Sequence, residues 1–151
     1  MGKLDRATFL HGDAKEKLKE IPEESVQTAI TSPPYFGLRD YHANGQIGLE
    51  DSLEEYIDNL CDVLDEVKKA LHPTGTLWLN LGDSYAGSGG PGGDFRDGKG
   101  GDEYKRQYDR SPRGLKDKDL CMVPARVALE LQSRGWWLRS EIIWAKSISF
   151  N

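Results

Sequence analysis

The sequence predicts an α/β fold with a mostly parallel sheet. Short apolar runs of strand type alternate with stretches of helical periodicity, in the order strand, helix, strand, helix, strand, loop, helix, strand. The composition agrees: 151 residues, 37% apolar and 30% charged, suffice for one soluble domain with a real core. No apolar run approaches the ~20 residues of a membrane span, and the polar N-terminus carries no signal-peptide pattern.

Ala7-Thr8-Phe9-Leu10 reads as the first strand, ending at His11-Gly12-Asp13. Ala14 to Ile21 reads as a short helix with Leu18 and Ile21 on one face, broken by Pro22. Ser25 to Thr31 is the second strand, and Tyr35 to Gly48, rich in Gly, Asn and Asp, is a loop. Ser52 is an N-cap candidate, with Glu55 completing a capping box. Behind it Leu53, Tyr56, Ile57, Leu60, Val63, Leu64, Val67 and Leu71 recur at spacings of three and four, the clearest helix in the chain. His72-Pro73-Thr74-Gly75 ends that helix, and Thr76 to Leu81 reads as a buried-type strand.

From Gly82 to about Asp119 the chain turns Gly-rich and polar. A structureless stretch of that length is expected to be functional and mobile without ligand. Val123 to Arg134 is a helix with Pro124 in its first turn, and Trp136 to Trp144 is a fourth strand. Four strands make a small open sheet, and the chain stops at Ser149-Phe150-Asn151 directly after one. The pattern reads as half of a domain.

Net charge is −5, but unevenly spread. Residues 1–95 hold 8 Lys/Arg against 17 Asp/Glu, and residues 96–151 hold 12 against 8. An acidic protein with this asymmetry has room for a local basic face. Lys105, Arg106, Arg110, Arg113, Lys116 and Lys118 are candidates for phosphate contacts there, against the plainer reading of solvated charge. Cys61 and Cys121 are isolated and the three histidines scattered, so a reducing, cytoplasmic setting and no metal are expected.

The segment richest in chemistry is Thr31-Ser32-Pro33-Pro34-Tyr35, at the end of the second strand. Proline fixes φ and has no N–H, so the carbonyls here are expected to stay outside the sheet ladder as rigid acceptors. Tyr35 adds a flat face beside them. Acceptors next to a stacking platform suit a planar ring with an exocyclic amine, which describes a nucleobase turned out of its duplex.

Asp13, the Thr31-to-Tyr35 segment and Ile142-Ile143-Trp144-Ala145-Lys146, in that order, resemble the amino-methylating DNA methyltransferases. Gly75-Thr76-Leu77-Trp78-Leu79-Asn80-Leu81-Gly82-Asp83-Ser84-Tyr85 is similar to the family's central strand and following loop. Pro124, Arg126, Gly135-Trp136 and Leu138-Arg139 are similar to its later helix and strand. The resemblance implies a Rossmann-like fold and restriction–modification chemistry. A methyl group passes from S-adenosylmethionine to the N4 of cytosine, or by the same geometry the N6 of adenine, in double-stranded DNA with a flipped base. Serine at position 32 resembles the cytosine-N4 branch. Motif order resembles the permuted β group, in which the cofactor half follows the catalytic half.

Residue by residue, the resemblance implies a catalytic role for Ser32, Pro33, Pro34 and Tyr35. The Ser32 hydroxyl and the Pro33 carbonyl would accept the amine hydrogens, and Tyr35 would stack on the base. It implies cofactor contacts for Asp13 and Thr31. Asp13 also reads as an N-cap. Trp144 is placed near the target base, against a core reading. Asp83-Ser84-Tyr85-Ala86-Gly87-Ser88-Gly89 imitates the family's Gly-rich cofactor loop, but it runs into Gly90-Pro91-Gly92-Gly93, which cannot start the helix such a loop needs. The expected organisation is therefore a catalytic half over 1–151, with a loop at about 83–119. The S-adenosylmethionine site would be completed by a downstream segment or a second chain. Neither cysteine follows a proline, which disfavours methylation at carbon-5. A non-catalytic nucleic-acid-binding module that keeps only the base pocket is the alternative of another class.

Overall fold

The computed structural model describes residues 7–87 and 115–145. Helix α1 (Ala14–Leu18) begins at Asp13, whose carboxylate accepts the Glu16 N–H at 3.1 Å and fills one orphan donor of the first turn. The helix ends short of Ile21. Its last turn tightens into three-residue bonds, Ile21 N–H to the Leu18 carbonyl at 3.1 Å, and Pro22 disfavours helical backbone before it.

Strand β1 (Val26–Thr31) leads through a long loop to helix α2 (Leu53–Ala70) and strand β2 (Leu71–Leu79). The strands pair in parallel, Thr28 with Thr76 through Thr31 with Leu79. Leu71 already pairs with Val26, so His72-Pro73-Thr74-Gly75 is an irregular opening of β2 rather than only a helix stop. Glycine is required at Gly75, because a Cβ there would lie 2.9 Å from the His72 carbonyl oxygen and 3.0 Å from that of Val26.

Helix α2 carries the core. Ser52 caps it, its hydroxyl accepting the Glu55 N–H at 3.1 Å. Leu53, Tyr56, Ile57, Leu60, Cys61 and Leu64 are buried along one face. Helix α3 (Val123–Ser133) adds Val123, Val127 and Leu131, four residues apart, and Leu77 and Leu79 of β2 pack onto the same cluster. Each such side chain removed from water is worth about 1.5–3 kcal/mol. The opposite sheet face stays open, with Ile30 80% and Trp78 53% exposed, so the β2 run is buried on one side only.

Arg134 ties α3 to α2. Its guanidinium reaches Asp62 at 2.8 Å, Asp65 at 3.0 Å and Asp58 at 3.2 Å on α2, and Glu130 at 2.8 Å one turn back. Lys68 closes the C-terminus of α3, donating to the Arg134 and Gly135 carbonyls.

Two expected strands do not form. Residues 7–10 and 136–145 carry no ladder, and the sheet among the described residues has two strands. The reason is burial: Phe9 is 92% exposed and Trp137 86%. Strand propensity is realised only where a pleated face is covered. The segment expected as a loop over 83–119 has an ordered root. Tyr85 bridges Leu120 in antiparallel sense, and the Ala86 N–H reaches the Asp119 carbonyl at 2.8 Å. Residues 88–114, with Lys105, Arg106, Arg110 and Arg113, lie outside the described residues. No helix among those described is long and apolar enough to cross a membrane.

Candidate active site at the end of the parallel strands

The C-terminal ends of parallel strands are where open α/β sheets collect ligands, and the Ser32-to-Tyr35 corner lies there. The last rung is the Asn80 N–H on the Thr31 carbonyl at 2.9 Å. It sets Ser32 and Asn80 side by side just beyond the sheet, both exposed.

The corner is anchored from below by Tyr56 of α2. Its hydroxyl donates to the Pro34 carbonyl at 2.9 Å, and its ring lies 5.3 Å from that of Phe36. Tyr56 is wholly buried. Burial, aided by the negative charge of Glu50, pushes the phenol well above the usual tyrosine range, so it remains a hydrogen-bond donor at neutral pH. The loop before α2 is tied to the helix by Glu50, which accepts the Gly48 N–H at 2.8 Å and the Asn59 amide at 3.2 Å.

The expectation that the motif's carbonyls stay outside the sheet ladder is corrected for Thr31, whose carbonyl is on it, and the Pro34 carbonyl, off the ladder, is engaged by a side chain. Asn80 and Tyr56 approach from elements the local sequence does not reveal. Among the described residues no protein donor meets the Ser32 or Pro33 carbonyl.

Tyr35 is half-buried, its ring lying over Gly82. A Cβ at position 82 would stand 2.7 Å from Cε2 of that ring, so a residue without a side chain is what lets the ring lie there. The Tyr35 hydroxyl sits 3.4 Å from Ser32 Oγ, and the Asn80 amide nitrogen is 3.3 Å from the former and 3.4 Å from the latter. These are long, loose contacts that leave the polar atoms accessible.

The remaining candidates fall elsewhere. Asp13 is exposed and caps α1, and no described contact joins it to the corner. Thr31 spends its carbonyl on the ladder. Trp144 is 75% exposed in this chain. Lys116 and Lys118 stand at the root of the long segment through backbone bonds to Asp119 and Ala86. The Gly-rich imitation begins with a residue that serves the fold. The Asp83 carboxylate accepts the Val123 N–H at 3.0 Å and so caps α3, whose own N-cap residue Met122 is in the left-handed region at φ 57° and gives no side-chain cap. A sulfonium nucleoside needs several donors and acceptors around it. The described residues offer the exposed Asp13 carboxylate, with Thr31 and Asp83 already engaged, and this set does not make a site for S-adenosylmethionine.

Sequence reasoning missed Tyr56, Asn80 and Gly82 as parts of the site. For Tyr56 a signal existed: a hydroxyl on an otherwise apolar helix face must find a partner when buried. For Asn80 and Gly82 nothing local distinguishes them from a strand end and its following loop.

Comparison with known proteins bears on this geometry. The family described as DNA methylase matches residues 26–151. The chain is 46% identical over 143 residues to the Type II methyltransferase M.SmaI of Serratia marcescens, covering 95% of this chain and 49% of that protein. It is 44% identical over 143 residues to M.Cfr9I of Citrobacter freundii, covering 95% and 47%. It is 39% identical over 140 residues to M.SfiI of Streptomyces fimbriatus, covering 89% and 29%. The chain thus spans about half the length of the first two relatives, at 49% and 47%, and less of the third. No solved structure matches. A likeness of this extent, running through the Ser-Pro-Pro-Tyr corner and both strands that hold it, settles the family: the chain belongs to the N6/N4 DNA methylases, the amino-methylating DNA methyltransferases.

Proposed function

We propose that this chain carries the base-side half of a restriction–modification DNA methyltransferase that acts on the exocyclic N4 of cytosine in double-stranded DNA. The observation that carries the reading is the Pro33 carbonyl, met by no donor among the described residues, beside the exposed Ser32 hydroxyl on a corner held by Tyr56 and flanked by the Tyr35 ring. S-adenosylmethionine supplies the methyl group, and its pocket is completed by a downstream segment or a partner chain.

An aromatic amine is a poor nucleophile because its lone pair is delocalised into the ring. Two acceptors that take its hydrogens out of the ring plane draw the nitrogen toward tetrahedral geometry and localise that pair. On this reading Ser32 and Pro33 supply those acceptors, with dipoles fixed before the base arrives. Tyr35 holds the base by stacking, worth about 1–3 kcal/mol, which offsets part of the cost of unstacking it from DNA. The methylated nitrogen is then strongly acidic and releases its extra proton to water, so no dedicated base is required. Serine at the first motif position favours cytosine by resemblance. Adenine-N6 transfer is the alternative on the same geometry.

Expression of this chain joined to, or together with, the segment or chain that completes the cofactor pocket, in a bacterial host without amino-methylated DNA, followed by digestion of its DNA to nucleosides and mass spectrometry, tests the reading without knowing the recognition sequence. N4-methylcytosine that disappears with Ser32→Ala, at unchanged circular dichroism, is the expected result. N6-methyladenine instead would move the assignment to adenine. Undiminished product from Ser32→Ala would sink the role given to that hydroxyl.

A further inference from the structure

The corner is stiff almost everywhere. Ser32 and Pro33 each precede a proline, which confines their ψ to extended values, and Pro33 and Pro34 have φ fixed by their rings. Between the two prolines and the Tyr35 backbone, the torsion that no proline restrains is ψ of Pro34. That torsion swings the next peptide and with it the whole Tyr35 side chain. It also turns the Pro34 carbonyl, the group that the buried Tyr56 hydroxyl holds at 2.9 Å.

We infer that Tyr56 is a positioning residue for the stacking face, setting the Tyr35 ring through the Pro34 carbonyl. The inference rests on the base-side reading proposed above and deepens it. Tyr56 stands on the long helix α2 and is wholly buried, so its hydroxyl is a fixed point. With ψ of Pro34 held, only Tyr35's own φ and χ angles are left to place its ring, which lies over Gly82 and brings its hydroxyl to Asn80 at 3.3 Å. Tyr56 grips the near end of Tyr35, and Asn80 meets the far end. The hydroxyl has a second consequence: it engages Pro34, whereas no donor among the described residues meets the Pro33 carbonyl beside Ser32. A flipped base therefore meets one acceptor geometry and one ring plane rather than a family of them.

The test uses the 151-residue chain with 13C-labelled tyrosine, the Tyr35 signal being identified by its loss in Tyr35→Phe. Ring relaxation of Tyr35 and its response to millimolar cytidine are measured in wild type, in Tyr56→Phe and in Val127→Ala. The last variant is a core truncation on α3, chosen to lower stability away from the corner. The inference expects Tyr56→Phe to loosen the Tyr35 ring and weaken cytidine by about two- to tenfold, the worth of one net hydrogen bond, with Val127→Ala leaving both as in wild type. Unchanged ring relaxation in Tyr56→Phe, or an equal change in Val127→Ala, overturns it. Failure of cytidine to perturb Tyr35 in wild type overturns the base-site reading instead, and ring relaxation still decides the positioning role. If Tyr56→Phe does not fold, wild type decides. A slowly exchanging Tyr56 hydroxyl proton close to the Pro34 Hα supports the inference, and a freely exchanging one overturns it.

Discussion

Replacing Arg134 by methionine removes a charge while keeping most of the stem that packs between α2 and α3. The guanidinium makes four contacts of unequal worth. Asp58, at 3.2 Å and 66% exposed, contributes little. Asp62 at 2.8 Å, Asp65 at 3.0 Å and Glu130 at 2.8 Å are better sheltered, and Arg134 itself is only 22% exposed. At about 0.5–1 kcal/mol for each of those three, discounted for solvent screening, the expected loss is about 2 kcal/mol. That corresponds to a fall in Tm of about 4–8 °C for a chain of this size. The loss must also depend on pH. Asp62 is held below the usual carboxylate range, first by the Lys15 ammonium at 2.7 Å and then by Arg134. A depressed carboxyl stabilises the fold above its unfolded value of 3.8, and that stabilisation is lost as pH falls through the folded one. Urea titrations of wild type and Arg134→Met at neutral pH and at pH ~3 should therefore show a gap that narrows in acid, the share of the Asp62 shift that Lys15 supplies being common to both proteins. A gap under ~0.5 kcal/mol at neutral pH, or one unchanged in acid, refutes the view that this cation holds the two helices together.

Gly82→Ala should leave the melting temperature nearly unchanged but displace the Tyr35 ring, since the new methyl would stand 2.7 Å from Cε2, and base binding followed by fluorescence or NMR should weaken. Normal binding would show that the ring needs no fixed seat. Asp83→Ala should destabilise the fold by about 1 kcal/mol through the lost cap on Val123, read as a lower urea midpoint at constant slope. A drop confined to DNA or cofactor binding would contradict that purely structural role. In alkali, burial holds the Cys61 thiol up at about 12 and the Tyr56 phenol above its usual range. For groups with raised folded values, the stabilisation is complete below the unfolded values of 9.0 and 10.0 and is lost as pH rises through the folded ones. Unfolding free energy should thus fall above pH ~9, less steeply in Cys61→Ala, and a flat profile to pH ~11 would contradict the burial.

Much of the frame was legible because it depends on local period and local chemistry. Ser52 and the apolar spacing from Leu53 onward specify α2, cap included, since a helix of that amphipathic strength leaves little choice of face. Pro124 in the first turn announced α3. The parallel pairing of β1 with β2 follows from a helix long enough to cross between them. The failures have the same root. Ala7 to Leu10 and Trp136 to Trp144 look like strands because they are apolar, but a strand forms only when a ladder partner and a covering layer exist, and neither condition is written in the segment itself.

The local sequence already marks the Ser32-to-Tyr35 corner and the family it resembles. Two prolines, a serine and a tyrosine at a strand end constrain their own torsions and carry their own acceptors and aromatic face. What engages that corner is set by packing. Tyr56 reaches Pro34 from 22 residues away, Asn80 reaches Tyr35 across 45, and Asp83 caps a helix 40 residues on. Contacts over such separations come from packing α2 against the strands, and no local pattern encodes which carbonyl they will engage and which they will leave open.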